Sequence, residues 1–410
     1  MALVSHVLPP TWSGQSMILE RLLRGFDPSS YVLIRTMRIP EGGLYTEPLP
    51  GKMVDVPSAL PPLPVAGLRG VVPLMRGFVA TVRRRAAMIA EIVRAEGCDS
   101  IVVCTGGDML DIPAAYLAAR RANVRFIPYY FDHWSQQAVF SPRLQRLIKL
   151  LEPYILKRSF AVIVPNEFLA RDLRVHGRVR TTIVRNACDI PSTPPPARTA
   201  DCTAPVSIVY TGAVYAANHD AFRNLVDVLR SGNLDATLNI YTAQSEDEIA
   251  QAGIRGPVSV RPHRPLKEIP SLQAEADILF LPLAFDSPFP ALIRSSSPAK
   301  MGEYLAAGRP ILVHAPRDSF VAHYFGQHGC GVVVGELERA PLAEGVQALL
   351  ADDDLRERIG DAARARALAD FDIEKARASF AATVGIDFAN AESAAKAMRR
   401  LGIDAGSEHL

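Results

Sequence analysis

The chain has 410 residues, of which 49% are hydrophobic and 21% charged, and its formal net charge is +2. This length exceeds what one compact domain usually holds, and the composition excludes extended disorder. The five cysteines are scattered without a C-x-x-C pair, which argues against a zinc site and a disulfide framework. With no signal peptide or membrane-spanning stretch recognised in the sequence, we expect a cytoplasmic location.

Short apolar runs alternate with helical stretches along the chain. Strands are predicted in the first half at residues 2–8, 31–36, 100–104, 125–130, 161–165 and 182–185. Helices are predicted between them at residues 16–25, 112–122 and 166–176. Such alternation predicts a parallel sheet covered by helices.

A proline-rich segment interrupts this pattern and predicts a linker over residues 191–204. Further strands are then predicted at residues 206–211, 237–241, 258–260, 276–281, 311–313 and 331–334. The sequence ends in helical segments, the first of them predicted over residues 341–368. Two parallel α/β sheets follow from this pattern, and their ligands are expected beyond the carboxyl ends of the strands.

Charge is distributed unevenly along the chain. Basic residues outnumber acidic ones over residues 1–190, and the reverse holds for the remainder. Residues 71–92, with the run Arg83-Arg84-Arg85, and residues 144–155 are basic and apolar together. Such helices either pack on a sheet or lie on an anionic membrane. We therefore keep peripheral membrane contact through the basic N-terminal domain as an expectation.

Several residues that could take part in binding or catalysis follow predicted strands. Gly14, after the first strand, would let a phosphate or an acceptor approach the backbone, although an ordinary turn also uses glycine. Asp132 and His133 follow the strand that ends at residue 130, and a histidine among aromatic residues also suits a structural role. Asp370 and Asp372 form an Asp-x-Asp pattern, which we interpret as helix capping and not as a metal site.

The segment at residues 295–313 is the most informative. It predicts a Ser/Pro loop, a short helix from about Ala299, a stop at Gly308 and a strand. Lys300 at the start of that helix would favour an anion, and Glu303 on the adjacent face can accept hydrogen bonds from hydroxyl groups. A cation for phosphate beside a carboxylate for sugar hydroxyls indicates a nucleotide-sugar site.

The pattern Ser-Pro-x-Lys-x-x-Glu-Tyr-Leu-Ala-x-Gly-x-Pro within this segment resembles the donor-binding motif of retaining glycosyltransferase family 4. The resemblance implies the GT-B fold, an α/β architecture in which two Rossmann-like domains face each other across a cleft. It implies an acceptor-binding domain at residues 1–190 and a donor domain at residues 205–370. The helices at residues 371–410 would follow, and the first of them would cross back to the N-terminal domain.

The resemblance also implies residue roles. Lys300 would stabilise the donor phosphates, Glu303 would hold the ribose, and His133 would contact the sugar with Asp132 orienting it. Lys300, His133 and Asp132 are therefore the expected catalytic residues. The expected donor-binding residues are Gly14, Gly212, Asn218, His263, Arg294, Ser297, Lys300 and Glu303.

Two departures from the family pattern are evident. The family has an arginine and a lysine shortly after the glycine that corresponds to Gly212, whereas this chain has Asn218 and His219 there. The first glutamate of the family's Glu-x7-Glu pair is replaced by Ser295. Arg294 and Lys300 would then carry the positive charge at the diphosphate.

The resemblance implies a hexosyltransferase that moves a sugar from a nucleotide-diphosphate donor to a glycan, glycolipid or small-molecule acceptor. The family retains the anomeric configuration, uses no metal or other cofactor, and suggests bacterial surface polysaccharide or glycoconjugate synthesis. No nucleic-acid partner is expected. The two departures keep alternatives open: another GT-B enzyme such as a nucleotide-sugar epimerase, or a non-catalytic protein that binds a nucleotide or glycan.

Overall fold

A computed structural model describes residues 1–11, 13–36, 48–56, 71–106, 109–137, 142–175, 177–194, 205–232 and 234–386. The chain divides into two compact units. One comprises Met1–Arg185 and the segment that begins at Ile373, and the other comprises Asn186–Asp372. Most of the linker predicted at residues 191–204, and the helical end beyond residue 386, lie outside the described residues.

The first unit is built on a seven-stranded parallel sheet in the order β3-β2-β1-β4-β5-β6-β7. Its strands are β1 (Ala2–Ser5), β2 (Val32–Arg35), β3 (Lys52–Asp55), β4 (Ser100–Cys104), β5 (Arg125–Tyr129), β6 (Val162–Val164) and β7 (Thr181–Ile183). Its helices are α1 (Gly14–Leu23), α2 (Val71–Ala95), α3 (Asp111–Ala122), α4 (Pro142–Leu156) and α5 (Glu167–Arg174). The core forms where buried aliphatic side chains of β1 and β4 meet α2 and α3.

The second unit contains a six-stranded parallel sheet in the order β10-β9-β8-β11-β12-β13. Its strands are β8 (Val206–Thr211), β9 (Ala236–Thr242), β10 (Val258–Pro262), β11 (Ile278–Pro282), β12 (Ile311–His314) and β13 (Val332–Val334). Its helices are α6 (His219–Ser231), α7 (Glu246–Gln251), α8 (Ile269–Ala274), α9 (Pro290–Ser295), α10 (Lys300–Ala306), α11 (Phe320–His328), α12 (Arg339–Ala351) and α13 (Asp353–Asp370). The prediction of two parallel α/β sheets is confirmed.

The last described helix, α14 (Ile373–Val384), belongs to the first unit although it follows the second in sequence. The Arg377 guanidinium on α14 donates to the carbonyl of Arg21 over 3.1 Å. The centroid of the Phe380 ring lies 6.0 Å from that of the Phe26 ring and 6.3 Å from that of the Tyr129 ring. This helix therefore completes the aromatic part of the first unit's core.

Local sequence explains where several helices begin. Asn166 caps α5, because its side chain accepts a hydrogen bond from the Leu169 amide over 2.9 Å. Asp352 accepts from the Leu355 amide and caps α13. The single helix predicted at residues 341–368 is therefore wrong, because this cap separates α12 from α13.

Strand β3 was missed by the sequence analysis. Lys52 and Asp55 at its ends are exposed and neither of its middle residues is fully buried, so that no apolar run marks it. Among the residues that the structure describes, no helix is long and apolar enough to cross a membrane.

Candidate active site

The strand order of the second unit changes direction between β8 and β11, and ligands of such sheets bind at this switch point. Gly212 follows β8 with φ +117°, a conformation that side chains disfavour. A Cβ atom at this position would lie 3.1 Å from the Lys300 ammonium. The glycine therefore permits close approach between the backbone and a cation.

Lys300 is the first residue of α10, and its Nζ atom lies 3.6 Å from the centroid of the Tyr210 ring. This distance is typical of a cation–π contact. The side chain keeps some exposed surface, yet desolvation by the surrounding protein lowers its pKa to about 7, and the Glu303 carboxylate opposes that shift. The described residues give the ammonium no carboxylate within salt-bridge distance, so that an anionic ligand would be its natural partner.

Tyr210 is held by its hydroxyl group, which donates to the carbonyl of Ala213 over 2.7 Å. The same hydroxyl accepts a hydrogen bond from the Asn218 side chain, whose oxygen accepts from the Tyr215 amide. Asn218 is only 3% exposed. The structure thus shows Asn218 as a buried residue that fixes Tyr210, and its expected contact with the donor stays a prediction.

Glu303 lies one turn after Lys300 on α10. The buried Gln273 amide donates to a Glu303 carboxylate oxygen over 3.3 Å and to the Thr211 hydroxyl over 3.1 Å. The Tyr304 hydroxyl accepts from the Thr211 amide over 3.0 Å. These bonds tie the end of β8 to α8 and α10, and they orient the Glu303 carboxylate.

Ser297 lies in the loop before α10. Its hydroxyl group is buried and has no hydrogen-bond partner among the residues that the structure describes. Its carbonyl accepts from the Asn186 side-chain amide over 2.6 Å, which anchors the loop. A buried hydroxyl without a partner is costly, so a ligand atom would be a favourable partner for it.

The other expected residues of the second unit are less well defined. Arg294 is half-buried on α9, and His263 is half-buried after β10, where burial lowers its pKa. The loop after β11 is fixed by Asp220, because one carboxylate oxygen accepts from the amides of Phe285 and Asp286.

In the first unit, His133 is buried, and its Nε2 atom lies 3.0 Å from the Asp172 carboxylate on α5. We expected Asp132 to orient this ring, and no sequence pattern pointed to Asp172. The Asp132 residue is exposed to solvent. Nearby protein nevertheless desolvates its carboxyl group and raises its pKa to about 7. Gly14 is the exposed first residue of α1, after the Ser13 cap.

Two family models match successive parts of the sequence. A glycosyl transferase 4-like domain matches residues 16–187, and glycosyl transferases group 1 matches residues 239–366. The first match lies almost wholly in the first unit and the second lies in the second unit. The chain is a GT-B glycosyltransferase of the group 1 family.

Solved structures share the fold of this glycosyltransferase. Sucrose-phosphate synthase from Thermosynechococcus elongatus has a TM-score of 0.64 at 14% identity and covers 93% of this chain and 97% of its own. HepE from Anabaena, in complex with UDP and glucose, has a TM-score of 0.63 at 14% identity, with coverages of 94% and 99%. The lipopolysaccharide outer core galactosyltransferase WaaB has a TM-score of 0.64 at 11% identity, with coverages of 94% and 98%. No curated protein matches the sequence.

The geometry of the glycosyltransferase brings together Gly212, Lys300 and Glu303. Tyr210 and Gln273 were missed, because a tyrosine in a strand and a glutamine in a helix carry no sequence signal for a site. Asp370, read from the sequence as a capping residue, accepts hydrogen bonds from Tyr324 and Arg366. Over the described ranges, no group of three His, Cys, Asp or Glu residues is arranged to hold a metal ion.

In the glycosyltransferase, the Tyr210 ring should raise the pKa of Lys300, because the ring face favours the charged ammonium. Tyr210→Leu removes the ring, so that we expect the apparent pKa of Lys300 to fall by about one unit, whereas Tyr210→Phe keeps the ring face and the pKa. The measurement is the pH dependence of nucleotide-sugar affinity. Equal profiles for the leucine and phenylalanine variants would show that burial alone sets this pKa.

Proposed function

We propose that this glycosyltransferase transfers a hexose from a nucleoside diphosphate sugar to a glycan, glycolipid or small-molecule acceptor, with retention and without a metal cofactor. The observation that carries the proposal is the Lys300 ammonium, which is partly desolvated, lies over the Tyr210 ring and has no carboxylate of the described residues within salt-bridge distance. A desolvated cation beside an open backbone turn is suited to a diphosphate.

Neighbouring groups support the same donor. The buried Ser297 hydroxyl precedes α10 and would donate to a phosphate or sugar oxygen. Glu303, oriented by Gln273, would accept from the ribose hydroxyls. HepE, which shares the fold, was solved with UDP and glucose, and this makes UDP-glucose the first donor to test.

The reaction would proceed at the anomeric carbon of the donor sugar. The bond from this carbon to the diphosphate oxygen breaks, and the acceptor hydroxyl forms its new bond on the same face. The departing diphosphate accepts the hydroxyl proton, while Lys300 stabilises the developing negative charge. His133, whose Nε2 atom pairs with Asp172, would form a hydrogen bond with the transferred sugar through its other ring nitrogen.

We further propose a role in bacterial surface polysaccharide or glycoconjugate synthesis, in the cytoplasm and with peripheral contact to the inner face of the membrane. WaaB, which shares the fold, is a lipopolysaccharide outer core galactosyltransferase. The basic first half of the sequence would suit a phosphate-bearing, lipid-linked acceptor and an anionic membrane.

The test measures thermal stability with UDP, GDP, ADP and dTDP and their common sugars, in the presence of a chelator. One nucleotide should raise the melting temperature, and the matching sugar should then be consumed in the presence of an acceptor. Proton NMR of the product reports whether the anomeric configuration is retained. Well-folded protein that responds to none of these nucleotides would contradict the proposal.

A further inference from the structure

Two loops at the carboxyl end of the second sheet present an aromatic ring and a carboxylate to solvent. We infer that Tyr215 and Asp286, which lie on these loops, bind the transferred sugar of the donor and select a neutral hexose over a uronic acid. The inference deepens the proposed function and rests on it for the phosphate that carries the sugar. Both residues lie outside the motif at residues 295–313.

Tyr215 lies in the loop after β8 and is 56% exposed. The loop around it is held in place. The Val214 amide donates to the Gln244 side chain over 2.7 Å, and the Gln244 side-chain amide donates to the Val214 carbonyl over 3.0 Å. The Tyr215 amide donates to the Asn218 side chain over 2.9 Å. An exposed aromatic ring on a fixed loop is preorganised to pack against a ligand.

The Tyr215 loop lies beside the cation of the candidate site. Tyr210, whose ring centroid is 3.6 Å from the Lys300 Nζ atom, donates its hydroxyl group to the carbonyl of Ala213. Ala213 directly follows Gly212 and precedes Tyr215 by two residues. A phosphate bound at Lys300 would therefore have this loop next to it, on the side where the sugar of a donor can extend.

The second loop follows β11 and is joined to the first by hydrogen bonds. The Ala284 amide donates to the Ala217 carbonyl over 2.7 Å. One carboxylate oxygen of Asp220 accepts from the amides of Phe285 and Asp286, each over 2.8 Å. Because β8 and β11 are the neighbouring strands of the switch point, the joined loops lie where a ligand of this sheet is expected.

A buried histidine supports the second loop from below. The centroid of the His314 ring lies 4.6 Å from that of the Phe285 ring. The Nδ1 atom of His314 lies 3.2 Å from the Val334 carbonyl oxygen, and its Nε2 atom lies 2.9 Å from the Asn224 side-chain nitrogen. Since burial lowers the pKa of His314 to about 4, the ring is neutral at neutral pH, donating from Nδ1 and accepting at Nε2. The loop is thus held as far as Asp286.

The Asp286 side chain is exposed, and in the described parts of the chain it has no hydrogen-bond or ion-pair partner. An ionised carboxylate accepts hydrogen bonds at both oxygens, so that two adjacent sugar hydroxyl groups can donate to it. The apolar face of the same pyranose ring can pack on the Tyr215 ring. A uronic acid would bring a second carboxylate to this loop, and the like charges would repel each other. The two residues therefore favour a neutral hexose.

Phosphorus NMR titrations of the full chain test the inference with three probes: inorganic phosphate, α-glucose 1-phosphate and α-glucuronic acid 1-phosphate. The sugar phosphates carry the phosphate and sugar of a donor without its nucleobase. The unmodified protein should bind glucose 1-phosphate about tenfold more tightly than inorganic phosphate and about tenfold more tightly than glucuronic acid 1-phosphate. Equal affinities for glucose 1-phosphate and inorganic phosphate would overturn the inference.

Two variants separate the contributions. Asp286→Asn should weaken glucose 1-phosphate binding by about tenfold, abolish the discrimination against glucuronic acid 1-phosphate and leave phosphate binding unchanged. Tyr215→Ala should weaken both sugar phosphates by about fivefold and also leave phosphate binding unchanged. The matched controls are Asp247→Asn on α7 and Tyr154→Ala on α4, which replace exposed residues and should bind all three probes like the unmodified protein.

A loss of affinity for all three probes in Asp286→Asn would assign a structural role to Asp286 and overturn the inference. Stabilisation of the same samples by nucleoside diphosphates tests the proposed function separately. Protein that responds to a nucleotide but does not prefer glucose 1-phosphate to phosphate would keep the donor site and lose the sugar assignment. Preference for glucose 1-phosphate without a response to any nucleotide would support the sugar assignment and contradict the nucleotide donor.

Discussion

Replacement of Lys300 with methionine should weaken the binding of the donor nucleotide sugar by about 100-fold, or about 3 kcal/mol. The side chain supplies a lysine ammonium near the switch point of the second sheet, where it lies over the Tyr210 ring and can pair with a diphosphate. Methionine preserves most of the side-chain volume and removes the charge. Isothermal titration with the nucleotide sugar measures the loss, and the turnover number should fall as well, because the same charge stabilises the leaving diphosphate.

The matched control is Arg358→Met, which removes an exposed cation on α13. Its affinity for the donor should stay within about twofold of that of the unmodified protein, because exposed charges contribute little. Similar losses in the two variants would mean that general surface charge, and not the position of Lys300, attracts the donor.

The same lysine should make donor binding depend on pH. In the free protein the pKa of Lys300 is lowered to about 7, and a bound diphosphate favours the charged form and raises this pKa. Below about pH 7 the lysine is already protonated and affinity is constant, whereas above this pH binding must take up a proton and affinity falls by up to about tenfold per pH unit. Titrations from about pH 6 to about pH 9 should show this decline for the unmodified protein and a flat profile for Lys300→Met.

Replacement of Arg85 with methionine should lower the free energy of unfolding of the first unit by about 3–5 kcal/mol. Arg85 on α2 is 6% exposed, and its guanidinium donates to the Asp111 carboxylate over 2.7 Å. The second oxygen of Asp111 accepts from the Thr36 hydroxyl, also over 2.7 Å. Without the arginine, a carboxylate that is 1% exposed would remain in the core without its charge partner.

Urea unfolding followed by circular dichroism measures this loss, with Arg84→Met as the matched control. Arg84 is adjacent in sequence but exposed, so that its replacement should change stability by less than about 0.5 kcal/mol. The double variant Arg85→Met with Asp111→Leu should recover most of the lost stability, because both charges are then absent. Failure of the double variant to recover would assign the effect to packing around α2.

The contrast within the run at residues 83–85 shows what the sequence could establish. The run reads as a uniform basic segment, and the sequence left open whether its helix packs on the sheet or lies on a membrane. The structure buries the third arginine against α3, because Asp111 lies opposite it, and no local pattern indicates this pairing.

The sequence likewise predicted only some of the residues of the candidate site. Lys300 and Glu303 lie within one continuous motif, so that their spacing on a helix could be read directly. Tyr210 and Gln273 reach the same place from β8 and α8, and their side chains meet α10 only through the tertiary fold. Asp172 on α5 likewise meets His133, which lies in the loop after β5. Sequence reasoning thus finds residues that one element presents together and misses those that separate elements bring into contact.

Helix α14 has a consequence for how the protein is made. The second unit is inserted into the first, since the chain leaves the first unit at Arg185 and returns to it at Ile373. A ribosome must therefore synthesise the whole second unit before Phe380 can cover Phe26 and Tyr129. Until then the nascent first unit keeps an aromatic surface in water that chaperones would recognise, and an mRNA truncated before the α14 codons would yield an aggregation-prone product even though every strand of both sheets is present.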